Sequence, residues 1–148
     1  MRCSVSYSDP PGGQQVPEQH RRHRGMGLWK IGLSGTMTWA YVHSWTPTAR
    51  PDDPGTEEPT AIYYNQNAFV IRGPQGVFDT LGWEGYREGT DDARYLATLQ
   101  DAMAKAAAAG RHTELVARTQ RWLDNLSIHA DLDEWRAEMA RRIEMLIR

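Results

Sequence analysis

From residue 90 onward the apolar positions recur at intervals of three and four. Leu96, Leu99, Met103 and Ala107 make one stripe. Leu115, Thr119, Trp122 and Leu126 make a second, and Leu132, Trp135, Met139, Ile143 and Leu146 a third. That period marks helices that bury one face. It predicts helices over about Thr113 to Leu126 and about Leu132 to Ile147, with Asp131 capping the last. Ahead of them a helix is expected from about Asp79 to Gly89, continuing after a kink from a cap at Thr90 and stopping at Gly110. In that frame Asp91 and Asp92 fall in a first turn, where negative charge is favoured by about 0.3–1 kcal/mol each.

The N-terminal half changes rhythm. Val5 and Tyr7 suit the end of a strand, and Asp9 to Gly13 reads as a turn or loop. Pro17 fits the first position of a helix, with Glu18 at its positive end, and Met26, Trp29 and Leu33 keep helical spacing up to a stop at Ser34-Gly35. Gly25, Gly27 and Gly32 weaken that helix and mark close approach of another backbone. Residues 36–45, TMTWAYVHSW, alternate: Met37, Trp39, Tyr41 and His43 on one face, Thr38, Ala40 and Val42 on the other. The segment reads as a strand, and with no charge on either face both should be covered, as in a parallel sheet wrapped by helices. A long loop with four prolines follows over 46–60, then a short strand or hairpin over 61–71 and a turn at Gly73 to Gly76.

Composition narrows the function classes. A chain of 148 residues suits one ordinary domain, and a net charge of −2 supplies no general attraction to nucleic acid. The basic run His20 to Arg24 is too short to reverse that and reads as a solvated helix face. A single cysteine, Cys3, excludes an internal disulfide. No apolar run approaches the ~20 residues that span a bilayer, and no signal-peptide pattern is visible in the first thirty residues, so the compartment stays open. Six Trp and six Tyr against two Phe favour rings with a polar handle, suited to half-wet clefts as well as to cores.

Candidate chemistry lies in three places. The stretch LGWEGYREGTDDARYLATLQ, residues 81–100, carries Glu84, Glu88, Asp91 and Asp92. Glu84 and Glu88 share a helical face at roughly 5–6 Å between Cβ atoms, which invites comparison with the carboxyl pair of a retaining glycosidase. The competing reading is structural, since Arg87 and Arg94 are close enough to neutralise these acids. Gly82, Gly85 and Gly89 suggest a helix pressed against a sheet. His20 and His23 have a spacing that could hold a metal, but arginines surround them and surface roles fit better; no metal site or cofactor is expected. His112 and His129 are isolated. His43 ends the Trp-bearing strand, where it either faces a substrate or completes a core aromatic row. The chain has no nucleophile elbow, phosphate loop, dinucleotide glycine pattern, C-x-x-C or H-E-x-x-H.

The segments PEQHRRHRGMGLWKIGLSGTMTWAYVH and DTLGWEGYREGTDDARYL, with the pattern W-E-x-x-R-E-G-x-D-D-x-x-Y-L, resemble the C-terminal end of the catalytic domain in glycoside hydrolases related to family 123, the β-N-acetylgalactosaminidase type. The resemblance covers roughly residues 5 to 105. It implies the last strand–helix units of a (β/α)8 barrel, with Trp39, Tyr41, His43 and Trp45 as one wall of a sugar cleft and Arg87, Glu88, Asp91 and Asp92 as structural ion pairs tying the last helix down. The family's catalytic Asp-Glu pair sits on an earlier strand with no counterpart here. The nearest such step, Asp133-Glu134, falls in the terminal helix.

The sequence therefore reads as an α/β chain, the C-terminal fragment of a TIM barrel over 1–110 with a helical extension over 111–148, predominantly helical when isolated. A barrel needs eight strands and about 250 residues. Closure within one copy is thus excluded, the chain is expected to be a truncated or split piece of a longer enzyme, and a bare strand edge would invite self-association. No catalytic residue is assigned. The expected partner is carbohydrate, once the rest of a barrel is present, with neither nucleic acid nor membrane. The alternative is a small α-rich, non-enzymatic interaction module.

Overall fold

The computed structural model describes residues 4–6, 16–33, 35–38, 70–73 and 76–148. The chain divides into two units, Met1–Gly89 and Thr90–Arg148.

In the first unit, β1 (Ser4–Ser6) pairs in parallel with β2 (Thr36–Thr38), Val5 lying opposite Met37. Between them run α1 (Pro17–Arg24) and α2 (Met26–Lys30). Pro17 opens α1, where its missing N–H costs nothing, and Glu18 pairs with Arg22 one turn on. The single helix expected up to Ser34 is broken at Gly25, and Gly32, not Ser34-Gly35, ends the second piece. Gly32 adopts φ +75°, its N–H donates to the Trp29 carbonyl at 2.9 Å, and the Leu33 N–H donates to that of Leu28 at 2.9 Å. This pair of bonds closes a helix C-terminus and needs a residue free to be left-handed. Two strands, β3 (Val70–Gly73) and β4 (Gly76–Asp79), form an antiparallel hairpin with Ile71 opposite Phe78. Met26, Val70 and His20 are buried in this unit.

The longest element, α3 (Leu81–Ala108), runs unbroken for 28 residues. Its cap is Thr80, whose buried Oγ1 accepts from the Trp83 N–H at 3.1 Å, so the helix starts ahead of Thr90 and not with a cap there. What carries the helix through Gly85 and Gly89 is their contact with α1. A Cβ on Gly89 would lie 2.6 Å from the Arg21 carbonyl oxygen and 3.1 Å from the Gly25 nitrogen; one on Gly85 would collide with the Pro17 carbonyl. Pro17, Arg21 and Gly25 follow each other at four-residue spacing and meet Gly85 and Gly89 at the same spacing, as when four-residue ridges of two helices interlock. Gly85 and Gly89 are thus pressed against a helix, not a sheet.

In the second unit the remainder of α3 is joined by α4 (Thr113–Asp124) and α5 (Leu132–Ile147). Leu96, Leu99, Ala102, Met103 and Ala106 are buried on α3, Thr119 and Leu123 on α4, and Leu132, Trp135, Met139 and Leu146 on α5. The stripe on α3 passes through Ala106 and leaves Ala107 exposed, as 3.6 residues per turn requires after Leu99 and Met103. Asp131 caps α5, its carboxylate accepting from the N–H groups of Asp133 at 2.8 Å and Glu134 at 3.0 Å.

The α/β barrel fragment expected from the sequence is overturned. Helices dominate the described residues, and the strands run only three or four residues each. Barrel strands are all parallel and are joined through helices. Here β3 and β4 pair antiparallel, Gly73 opposite Gly76, and the long helix-forming run from Leu81 onward outweighs what strand remains. Of the expected strand over 36–45, Thr36–Thr38 is a strand and residues 39–45 lie outside the described residues.

At an unhindered helical position, Gly→Ala stabilises by about 1 kcal/mol. Gly89→Ala is expected to do the opposite and lower stability by roughly 1–3 kcal/mol, because the added methyl meets backbone that cannot swing aside. Urea denaturation followed by circular dichroism checks this; an unchanged or raised midpoint would contradict the close crossing.

Candidate functional site

Residues 81–100 hold the carboxylates with which a hydrolase reading begins. The Glu84 carboxylate accepts from Arg87 at 2.9 Å, and the Asp91 carboxylate from Arg94 at 2.8 Å, both on the exposed side of α3. Asp92 differs: it is 1% exposed and accepts from Arg136 Nε of α5 at 2.7 Å. Arg136 also lies over the Tyr95 ring at 5.9 Å, which fixes the guanidinium from a second side. Glu88 is half-buried and engaged as well. Since α3 is continuous, Asp91 and Asp92 sit in mid-helix, out of reach of the N-terminal dipole that a cap at Thr90 would supply. Their charge is balanced by arginine.

Among the described residues no three His, Cys, Asp or Glu side chains gather into a set able to hold a metal. His20 is buried on α1, whereas His23 faces outward. Partial burial, followed by the positive charges of Arg24, His20 and Arg22, holds the His23 pKa below its ordinary value of 6.5. His112 is exposed in the left-handed conformation at the start of α4, and His129 is exposed before α5. No helix among the described residues is long and apolar enough to cross a membrane. Trp39, Tyr41, His43 and Trp45, the expected sugar wall, lie outside the described residues.

The second unit carries a feature that sequence reasoning missed. A shallow groove of about 650 Å3 is lined by Glu114, Arg118, Arg121, Trp122 and Asn125 of α4 and by Arg142 of α5. Arg142 is its anchor. Its guanidinium carbon stands 4.7 Å from the centre of the Trp122 ring, NH1 donates to the buried Thr119 hydroxyl at 3.0 Å, and Nε donates to Glu138 at 2.6 Å. Arg141 donates to the same Glu138 carboxylate at 2.6 Å. Trp122 was expected in the buried stripe. It is half-exposed because Leu123, one residue on, takes the core position. The spacing of Arg118, Arg121, Trp122 and Asn125 along one helix side was visible in the sequence; the arrival of Arg142 from another helix was not.

No known family, curated protein or solved structure matches this chain.

Two outcomes test these assignments. Asp92→Asn removes the counter-charge of Arg136 and is expected to cost about 2–3 kcal/mol, short of the full penalty for a broken buried pair because Arg136 is partly solvated. Asp91→Asn, at an exposed pair, is expected to cost under about 0.5 kcal/mol, and equal losses on chemical denaturation would refute the distinction. For His23 the unfolded chain binds a proton more readily than the folded one. Its contribution is therefore complete above the unfolded pKa of 6.5 and lost as pH falls through the lower folded value. The drop in denaturation midpoint between about pH 7.5 and about pH 5.5 should be smaller in His23→Gln than in the parent; an equal drop would remove His23 from the account.

Proposed function

We propose that this chain acts by binding, as a small α-rich interaction module, and does not hydrolyse substrate by itself. The observation that carries this reading is the arginine pairing of Glu84, Asp91 and Asp92, three of the four carboxylates in residues 81–100. Glycoside chemistry with two carboxyl groups needs one held protonated as the acid and the other open to the sugar. Carboxylates held at 2.7–2.9 Å from arginine nitrogens at Glu84, Asp91 and Asp92 suit neither role. In each, arginine already occupies one of the two oxygens that substrate would need. What the second unit does offer is a surface: an exposed groove of charged and aromatic side chains on helices whose opposite faces form a core.

A second reading is favoured by one observation, the parallel pairing of β1 with β2 around α1 and α2. That strand–helix–strand order supports a reading built on the resemblance to glycoside hydrolases related to family 123, without restoring a barrel. On this reading the chain supplies scaffold and an aromatic wall, from Trp39, Tyr41, His43 and Trp45, to a sugar cleft completed by other segments.

Purified chain is expected to release no nitrophenol from nitrophenyl N-acetylhexosaminides above the buffer rate, with Glu84→Gln and Glu88→Gln changing nothing. Turnover abolished by either substitution would overturn the non-catalytic reading. Titration with amino sugars separates the two binding readings. A tryptophan fluorescence change that is lost in Trp39→Ala or Trp45→Ala would put the sugar-wall reading ahead.

A further inference from the structure

We propose that the groove between α4 and α5 docks an acidic segment of a partner protein, with carboxylates on Arg118 and Arg121 and an apolar side chain against Trp122. This rests on the interaction reading above and names the partner's chemistry.

The first argument is local charge. The chain as a whole is at −2, yet the groove sets three guanidiniums against one carboxylate, Glu114. The second argument is which of those guanidiniums are available. Arg142 is committed to Glu138, the Thr119 hydroxyl and the Trp122 ring, so it shapes the groove. Arg121 makes one long bond, Nε to the Ala117 carbonyl at 3.4 Å, and Arg118 has no carboxylate partner among the described residues. Both are exposed. Three apart on a helix, they stand about 5–6 Å apart at Cβ, within reach of neighbouring carboxylates on one short segment. Each presents a planar fork that takes a carboxylate through two parallel bonds.

The third argument is the ring. Trp122 is held against Arg142 at 4.7 Å and remains partly exposed, giving a rigid apolar body beside the two charges. Rings of this kind, flanked by arginine, anchor protein interfaces. Asn125 completes the far end. Its Nδ2 donates to the Arg121 carbonyl at 2.8 Å, which orients the amide so that its oxygen can accept from a partner's N–H.

The same features argue against nucleic acid. Affinity for a polyphosphate grows with the number of phosphates neutralised, and two available arginines on a chain of net charge −2 offer few. Two carboxylates and one apolar group match what is exposed here.

The test uses the whole chain and fluorescence anisotropy of a labelled peptide, about ten residues of alternating glutamate and leucine. The expected result is saturable binding that weakens with added salt. Arg118→Glu combined with Arg121→Glu should weaken it at least tenfold, while Arg111→Glu, exposed but outside the groove, leaves it unchanged. Both altered positions are on a helix surface where glutamate is as good a helix former as arginine, and unchanged circular dichroism confirms the fold. A labelled oligothymidine of equal charge should bind more weakly than the peptide. Absent peptide binding, an unaffected double variant, an equal loss in Arg111→Glu or tighter binding of the oligonucleotide would each overturn the proposal. These outcomes leave the broader binding reading standing, which the hexosaminide assay and the amino-sugar titration test separately.

Discussion

Asp92 carries a carboxylate into a place with almost no water, and Arg136 is what makes that tolerable. The two residues are 44 positions apart, so their bond fixes which face of α5 meets which face of α3. An apolar stripe cannot do this alone, because Leu, Met and Ala at helical spacing tolerate small rotations and slides at little cost. A buried charge permits only the arrangement that meets its partner, since the alternative leaves the carboxylate dry and uncompensated. The leucine and methionine stripes of the second unit supply the driving force, and the ion pair selects the register.

The first unit has a different constraint, close contact between backbones. Where α1 crosses Gly85 and Gly89 there is no room for a Cβ, so the helices are located by main-chain atoms instead of side-chain fit. The arrangement also accounts for a helix that runs on through poor helix formers. The propensity lost at each glycine is about 1 kcal/mol, and the packing it permits offsets this.

What could be read in advance follows the range of the interaction. The buried positions Leu96, Leu99, Met103, Thr119, Leu132, Trp135, Met139 and Leu146, the cap at Asp131 and the stop at Gly110 all depend on neighbours within one or two turns, and the sequence carried them. The unbroken course of α3 did not follow from local rules. Gly89-Thr90-Asp91-Asp92 has the signature of a helix start, yet α1 and Arg136 hold those residues in mid-helix. The antiparallel pairing of β3 with β4 is only half legible: the short alternating run ahead of Gly73 is visible, but nothing local marks Gly76–Asp79 as a strand, and residues 74–75 lie outside the described residues. The barrel fragment rests on the resemblance of two segments, and of the ten-residue strand expected in the first, Thr36–Thr38 is strand while 39–45 lie outside the described residues. The groove escaped because it needs Arg142 beside Trp122, twenty residues apart and on different helices.

The groove is built in two tiers. Arg142 lies beneath, bound to Thr119 and to Glu138, while Arg118 and Arg121 stand outermost on the surface of α4. The residues that would greet a visitor are therefore separable from those that keep the shape. Drift at the outer pair can rewrite what the surface prefers without disturbing the helices underneath. Positions such as Gly89 have no comparable freedom. In descendants of this chain, change should collect on one flank of a single helix while the glycine crossing stays frozen.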